Sequence, residues 1–450
     1  MYQQIYKKLI SPIHENIFKR SKFLNYLGFL EESQWWPRDK LLNFQWKELQ
    51  KLLKHSYEQV PYWCDVFKKL KIKPDDIKNY SDFQKLPIIE KQDIRRNKKL
   101  MVARNYAGKT FTKSTSGSTG MPLELDYTSD SYDWRMAVSK RGYSWAGCED
   151  GKKQAYFWGG VSGKESIIKK CKEYLYHMVL RQKYIDCCGF TEKNMGVVLE
   201  NLNQYAPEVI IGYANPIYNF SRFVERHGNL RFKPKAIISA AEKLYKPQRE
   251  VIANAFKCQV FNTYGSREFM LIASECAEHK GLHINVENLF VEVINESGFQ
   301  AKPGEMGDVI ITDLHNYGMP FIRYRIGDMA IPTDEKCACG RELPLLEDVT
   351  GRTLDIIRTP DGRYIPGEFF TRLFREFNEI RQFQVVQDKL DSLNLKIIRE
   401  KQISDKRIDF IKDEVGKILG KKVSVKIEFV DNIPLTKTGK YRVTVSNIPG

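Results

Sequence analysis

At 450 residues the chain exceeds what one hydrophobic core ordinarily supports, so two or three domains are expected. Hydrophobic content of 42% with 12% aromatics is ample for globular packing, and no apolar run is long enough to span a bilayer. The net charge of +16 points to anionic partners such as nucleotides, nucleic acid, acidic glycans or a membrane surface; lysines spread over the whole chain without an arginine-rich tract favour a generally basic, solvated surface. Nine cysteines, an odd number, argue against a disulfide framework and fit a reducing compartment. The N-terminal MYQQIYKKLISPIHENIFKR lacks the apolar core of a signal peptide, so a soluble, cytoplasmic protein is expected.

In chain order, Tyr2, Ile5, Tyr6, Leu9 and Ile13 share one helical face with Lys7 and Lys8 beside them. Packing onto the body of the protein is the favoured reading, and weak association with an anionic membrane or a membrane-bound glycan assembly the other. Residues 1–100 read as mostly helical; in QWKELQKLLKHSYEQV, Trp46, Leu49, Leu52, Leu53 and Tyr57 recur at helical spacing until Pro61. STSGSTGMP (114–122) has the small, hydroxylated residues of a phosphate-wrapping loop and equally those of a linker. It is not a P-loop, because Met121 and Pro122 follow Gly120 with no lysine. Short β-rich runs at 209–213, 236–240 and 259–264, separated by helical segments, predict a largely parallel, doubly wound sheet with ligands beyond the carboxyl ends of its strands. From about Glu305 the pattern turns antiparallel, with GDVIITDL and PFIRYRIGD joined by HNYGM. After the glycine- and proline-broken GRTLDIIRTPDGRYIP comes a compact α+β unit: a helix over 368–377, strands RQFQVVQ and LNLKIIRE, a helix over 404–418, and the strand KVSVKIEFV. The expected fold is α/β, with a large domain over 1–350 built on mostly parallel sheets and a small α+β C-terminal domain over 351–450.

Four further stretches follow STSGSTGMP in order: FNTYGSRE (261–268), YRIGD (324–328), GRTLD (351–355) and PLTKTGK (434–440). Together the five resemble the motifs of the adenylate-forming superfamily of acyl-CoA synthetases, over nearly the whole chain. The N-terminal third, LLKHSYEQVPYW followed by IKPDDIKNYSDFQKLPIIEKQDIR, is similar to phenylacetate-CoA ligases and their capsule-biosynthesis relatives. The resemblance implies that Thr115, Ser116, Gly117, Ser118, Thr119 and Gly120 cover the β- and γ-phosphates of ATP. Leu123 departs from the lysine often found just after the proline. It implies that Tyr264 packs on adenine, with Asn262, Thr263, Gly265 and Ser266 in the same nucleotide-binding segment and Ala241 and Glu242 of SAAEKL lining the adenine pocket. Glu268 would hold the magnesium that bridges ATP phosphates. Asp328 would accept from the ribose hydroxyls, Arg352 would lie near the ribose and α-phosphate, and residues 353–355 would form the hinge. Lys440, on the small domain, would bridge the substrate carboxylate and the α-phosphate, and hinge rotation would withdraw it for a second half-reaction.

Cys276 and His283 in ECAEHKGLH, with Cys337 and Cys339 in CACGR, supply the thiolate and imidazole types that zinc prefers, though not at the spacing of a standard finger. A structural zinc in an insert around 276–340 is expected, with His279 as the alternative to His283 and unrelated reduced cysteines as the plain reading. The function expected from all this is ATP-dependent ligation: a carboxylic acid and ATP give acyl-AMP and pyrophosphate, then the acyl group passes to coenzyme A. A sugar amine or hydroxyl of a glycan is the alternative acceptor, and an outcome that stops at AMP transfer is a third. The rival class is a non-catalytic nucleic-acid or membrane-surface binder, and the presence of Lys440, Glu268 and Asp328 speaks against it; no specific nucleic-acid partner is expected.

Overall fold

The computed structural model describes residues 2–18, 21–114, 123–158, 167–187, 192–352, 357–361, 364–365, 368–374, 377, 379–420, 423–434 and 441–448. The predicted N-terminal helix forms as α1 (Arg38–Gln59), with Leu49, Leu52 and Leu53 on its buried face. Pro61 ends it in a specific way: the preceding Val60 is extended, and proline opens the next helix, α2 (Pro61–Leu70), at the position where its missing N–H costs nothing.

An 11-stranded sheet organises the large domain. Its strands in chain order are β1 (Gln154–Trp158), β2 (Gln182–Asp186), β3 (Val209–Tyr213), β4 (Ala236–Ala240), β5 (Gln259–Ser266), β6 (Met270–Ser274), β7 (Leu282–Ile284), β8 (Leu289–Ile294), β9 (Gly307–Asp313), β10 (Tyr324–Thr333) and β11 (Leu345–Arg352). Their spatial order is β8-β9-β10-β11-β7-β6-β5-β4-β3-β1-β2. The α/β class holds. The five strands from β2 to β5 pair in parallel, as their runs predict: every residue of VIIGY and AIISA is buried, which a strand covered on both faces requires. The remaining strands pair antiparallel, and this half begins at Met270, well before the predicted change near Glu305. β10 also starts later than PFIRYRIGD suggests. Arg323 takes a left-handed backbone (φ 50), and its guanidinium donates to the carbonyls of Gln84 and Leu86 at 2.7 and 2.6 Å.

Helices α3 (Ser129–Ser144), α4 (Ile167–Leu180), α5 (Glu192–Tyr205), α6 (Ala214–His227) and α7 (Lys246–Phe256) complete the large domain. Phe220, Ile252 and Phe256 from α6 and α7 join Ile210 and Ile237 in a core on the parallel half, while α1 and α2 pack with Phe269, Val309 and Tyr324 on the antiparallel half. The small domain has its own core around Phe370, Val385, Leu395 and Ile411. It is built from α8 (Glu368–Phe374), β12 (Ile380–Lys389), β13 (Ser392–Arg399), α9 (Asp405–Leu419), β14 (Ser424–Phe429) and β15 (Thr444–Ser446), with sheet order β14-β13-β12-β15. Among the described residues no helix is long and apolar enough to cross a membrane.

Candidate active site and metal centre

The chain leaves β1 through α4 to β2, then returns through α5 to β3 on the opposite side of β1. Strand order therefore reverses between β1 and β3, and the crevice beyond their carboxyl ends is where such sheets bind ligands. Trp158 and Tyr213 end these two strands with ring centroids 4.6 Å apart. Neither was among the predicted site residues; the available signal was an aromatic at the last position of each run. A Cβ on Gly212 would sit 2.4 Å from the Phe157 carbonyl oxygen, so only glycine lets the strands approach so closely here.

Beyond β4, Ala241 adopts a left-handed backbone (φ 63), a conformation that costs a residue with a Cβ roughly 1–2 kcal/mol and often marks a functional turn. The turn delivers Glu242 to the start of α6. One carboxylate oxygen accepts from the Asn215 backbone N–H and side-chain amide at 2.9 and 3.0 Å, and the other accepts from the Tyr441 N–H at 3.2 Å. Gln248 steadies Asn215 from α7 at 2.8 Å. Glu242 thus joins the large domain to the residue that follows Lys440. Lys440 itself and the Thr115–Gly120 loop lie outside the described residues.

β5 carries the predicted FNTYGSRE segment. The Asn262 N–H donates to Glu275 Oε2 at 2.7 Å, Thr263 Oγ1 to the Ser239 carbonyl at 2.7 Å, and the Phe269 N–H to Ser266 Oγ at 3.1 Å. Gly265 sits at a bulge where a Cβ would lie 2.3 Å from the Met270 carbonyl oxygen, which makes glycine obligatory. The Tyr264 hydroxyl donates to Asp328 Oδ2 at 2.9 Å, and Asp328 on β10 pairs in register with Arg352 on β11. Three motifs distant in sequence, FNTYGSRE, YRIGD and GRTLD, therefore meet at one place.

Glu268 is buried beside them. Its carbonyl accepts from the Tyr127 hydroxyl at 3.0 Å and from the guanidinium of Arg135, and its carboxylate lies 3.9 Å from the Lys91 ammonium. Arg135 also pairs with buried Asp313 and lies 4.2 Å from the centre of the Tyr127 ring. Sequence reasoning missed Arg135, because an arginine within a polar-looking helix carries no mark of burial.

The four predicted metal ligands converge. Cys276, His283, Cys337 and Cys339 place one ligand atom each within 4.8 Å of all the others. Cys276 and Cys337 sulfurs are 3.5 Å apart, and Cys339 Sγ lies 3.5 Å from His283 Nε2. These separations are close to the edges of a tetrahedron with Zn–S of ~2.3 Å and Zn–N of ~2.0 Å. The β7–β11 ladder, pairing His283 with Leu345, brings the CACGR loop over the end of β6. Burial, with Arg341 adding to it, pushes His283 down to about 4, so the imidazole is neutral and free to ligate at neutral pH. Burial pushes the Cys276 thiol up to about 12. At Cys339 burial acts upward too, but hydrogen bonds with Arg341 outweigh it and lower that thiol. His279 is engaged elsewhere: Nδ1 lies 3.1 Å from Glu275 Oε2 and 3.2 Å from Arg249. Of the two histidines considered, geometry selects His283.

The CapK C-terminal domain family model matches residues 357–447, the small domain. Over 456 aligned residues the chain is 25% identical to protein CapK of Staphylococcus aureus, covering 99% of this chain and 97% of that one. It is 24% identical over 378 residues to a phenylacetate-coenzyme A ligase of Thermus thermophilus, covering 80% of this chain and 82% of the ligase. The crystal structure of 2-hydroxyisobutyryl-CoA ligase, in the postadenylation state in complex with R3-HIB-AMP, shares the fold with a TM-score of 0.71 at 17% identity, over 89% of this chain and 88% of that one. The small-domain match, the end-to-end similarity to CapK and the similarity to phenylacetate-coenzyme A ligase agree with the five motifs and support the adenylate-forming superfamily, in its CapK and phenylacetate-coenzyme A ligase branch, and the shared fold is consistent with it.

Proposed function

We propose that the protein activates a carboxylic acid with ATP and then transfers the acyl group to the thiol of coenzyme A. A carboxylate oxygen attacks the α-phosphorus, the bond to pyrophosphate breaks, and the acyl-adenylate formed is the donor for the second half-reaction. The observation that carries this reading is the Tyr264–Asp328 hydrogen bond, which joins the predicted adenine platform to the predicted ribose acceptor. Asp328 takes the ribose hydroxyls, Tyr264 supports the adenine beside Ala241, Glu242 and the Asn262–Ser266 strand, and Arg352 faces the ribose and α-phosphate. Thr115–Gly120 wrap the terminal phosphates, and Lys440 meets the carboxylate. Glu268, a buried carboxylate, offers the hard oxygen that Mg2+ prefers, and the ion would neutralise phosphate charge as pyrophosphate leaves. Trp158 and Tyr213 form a wall for the acid's organic portion, at the crevice where strand order reverses. The three thiols of Cys276, Cys337 and Cys339 and the imidazole of His283 would hold a structural zinc, and four protein ligands would give the metal a stabilising role and not a reactive one.

A glycan amine or hydroxyl as acceptor is the second reading, and it rests on the resemblance of the N-terminal third to capsule-biosynthesis relatives. ATP–pyrophosphate exchange screened over carboxylic acids tests the first half-reaction. Product analysis with coenzyme A and with amino sugars then separates the acceptors, and absence of exchange with every acid class overturns the proposal. Within it, Tyr264→Phe removes one hydrogen bond worth about 1 kcal/mol, so KM for ATP should rise about five-fold with kcat little changed. An unchanged KM would separate the Tyr264 hydroxyl from nucleotide binding.

A further inference from the structure

The apolar stripe of α4 faces solvent. Cys171, Tyr174, Leu175 and Met178 recur at the i, i+3, i+4, i+7 spacing that ordinarily marks the face a helix buries, yet all four are exposed, Tyr174 at 71% and Met178 at 55%. The N-terminal segment lies alongside: the Tyr2 hydroxyl donates to the Val179 carbonyl at 2.6 Å, Arg181 lies 5.2 Å from the Tyr2 ring, and the His14 and Tyr176 rings are 6.0 Å apart. Tyr6 alone of its predicted apolar face is buried, so the segment is tied down there, while Ile5, Leu9 and Ile13 remain outward with Leu9 at 56% exposure. Two adjacent elements therefore present one apolar surface. Continuous apolar patches of this kind mark an interaction site.

Charge identifies the occupant. Residues 2–15 and 167–183 together hold seven Lys or Arg against two Glu, and Lys8 and Lys172 are exposed within the patch. Cores of protein–protein interfaces are depleted of lysine, whereas apolar side chains interleaved with lysines fit the boundary between acyl chains and anionic headgroups. We propose that this surface seats the protein on an anionic bilayer, with Leu9, Leu175 and Met178 entering the acyl boundary and the lysines meeting lipid phosphates. Residues of the nucleotide site take no part in it.

The test is flotation of the full-length protein with vesicles of phosphatidylcholine containing about one third phosphatidylglycerol, and with phosphatidylcholine alone, at low and high salt. The protein should float with the anionic vesicles at low salt, about ten-fold less with the neutral ones, and should be released by high salt. The double variant Leu175→Glu, Met178→Glu should lower flotation about ten-fold with an unchanged melting temperature and unchanged nucleotide binding. Protein that stays in the soluble fraction at low salt overturns the proposal, as does flotation unaffected by the double variant. A wild-type dimer that the same variant converts to monomers would instead assign the patch to contact between copies.

Discussion

Replacement of Lys440 by alanine is expected to slow carboxylate adenylation by about 10²–10³-fold while leaving acyl transfer from a presynthesised acyl-adenylate within about two-fold. The carboxylate must approach the α-phosphate of a polyanion, and a point charge between them lowers that repulsion most as the new bond forms. Transfer to a thiol starts after pyrophosphate has left and has no such repulsion to overcome. Tyr441, the next residue, is held by its N–H to Glu242 of the large domain, so the residue that follows the PLTKTGK stretch is at the joint between the domains. Release of that one hydrogen bond, and the packing around it, would let the small domain turn and carry Lys440 away. Measured separately, the two half-reactions decide the matter: equal loss of both in a variant of normal melting temperature would give Lys440 a general structural role.

The parallel half of the sheet was legible because its strands leave a simple record. VIIGY and AIISA are continuous apolar runs between helical segments, and burial on both faces demands that composition. The antiparallel half left a weaker one. β7 is three residues long, and the turn from β5 to β6 runs through Arg267, Glu268 and Phe269, with none of the asparagine–glycine chemistry that announces a hairpin. Tertiary contacts, including the clamp of Arg135 on the Glu268 carbonyl, hold this turn. The zinc-type residues could be picked out by chemistry, but the choice between His279 and His283 depended on Glu275, whose pairing with Arg249 and His279 exists only once β5 and α7 are packed. Trp158 and Tyr213 escaped notice for a related reason. An aromatic at a strand end means little until the order of the strands shows that these two flank the reversal.

Protein purified without a histidine tag is expected to contain about one zinc per chain, and Cys337→Ser to lose most of it and melt roughly 5–10 °C lower. The neutral imidazole of His283 can ligate without losing a proton, whereas the Cys276 thiol, pushed up to about 12 by burial, must give one up. Zinc binding should therefore release protons and weaken as pH falls, since protons compete for the sulfurs. The consequence reaches the nucleotide site through two strands. His283 and Leu345 are partners across β7 and β11, and β11 continues to Arg352, the partner of Asp328 on β10. Freed from the metal, the CACGR loop would no longer fix the β10–β11 register, so the Cys337→Ser variant should show a higher KM for ATP with Asp328 and Tyr264 both intact. Metal-free protein with unchanged melting and unchanged KM would mean that the three thiols and His283 pack together without an ion, and that hydrogen bonding alone holds Asp328 opposite Arg352.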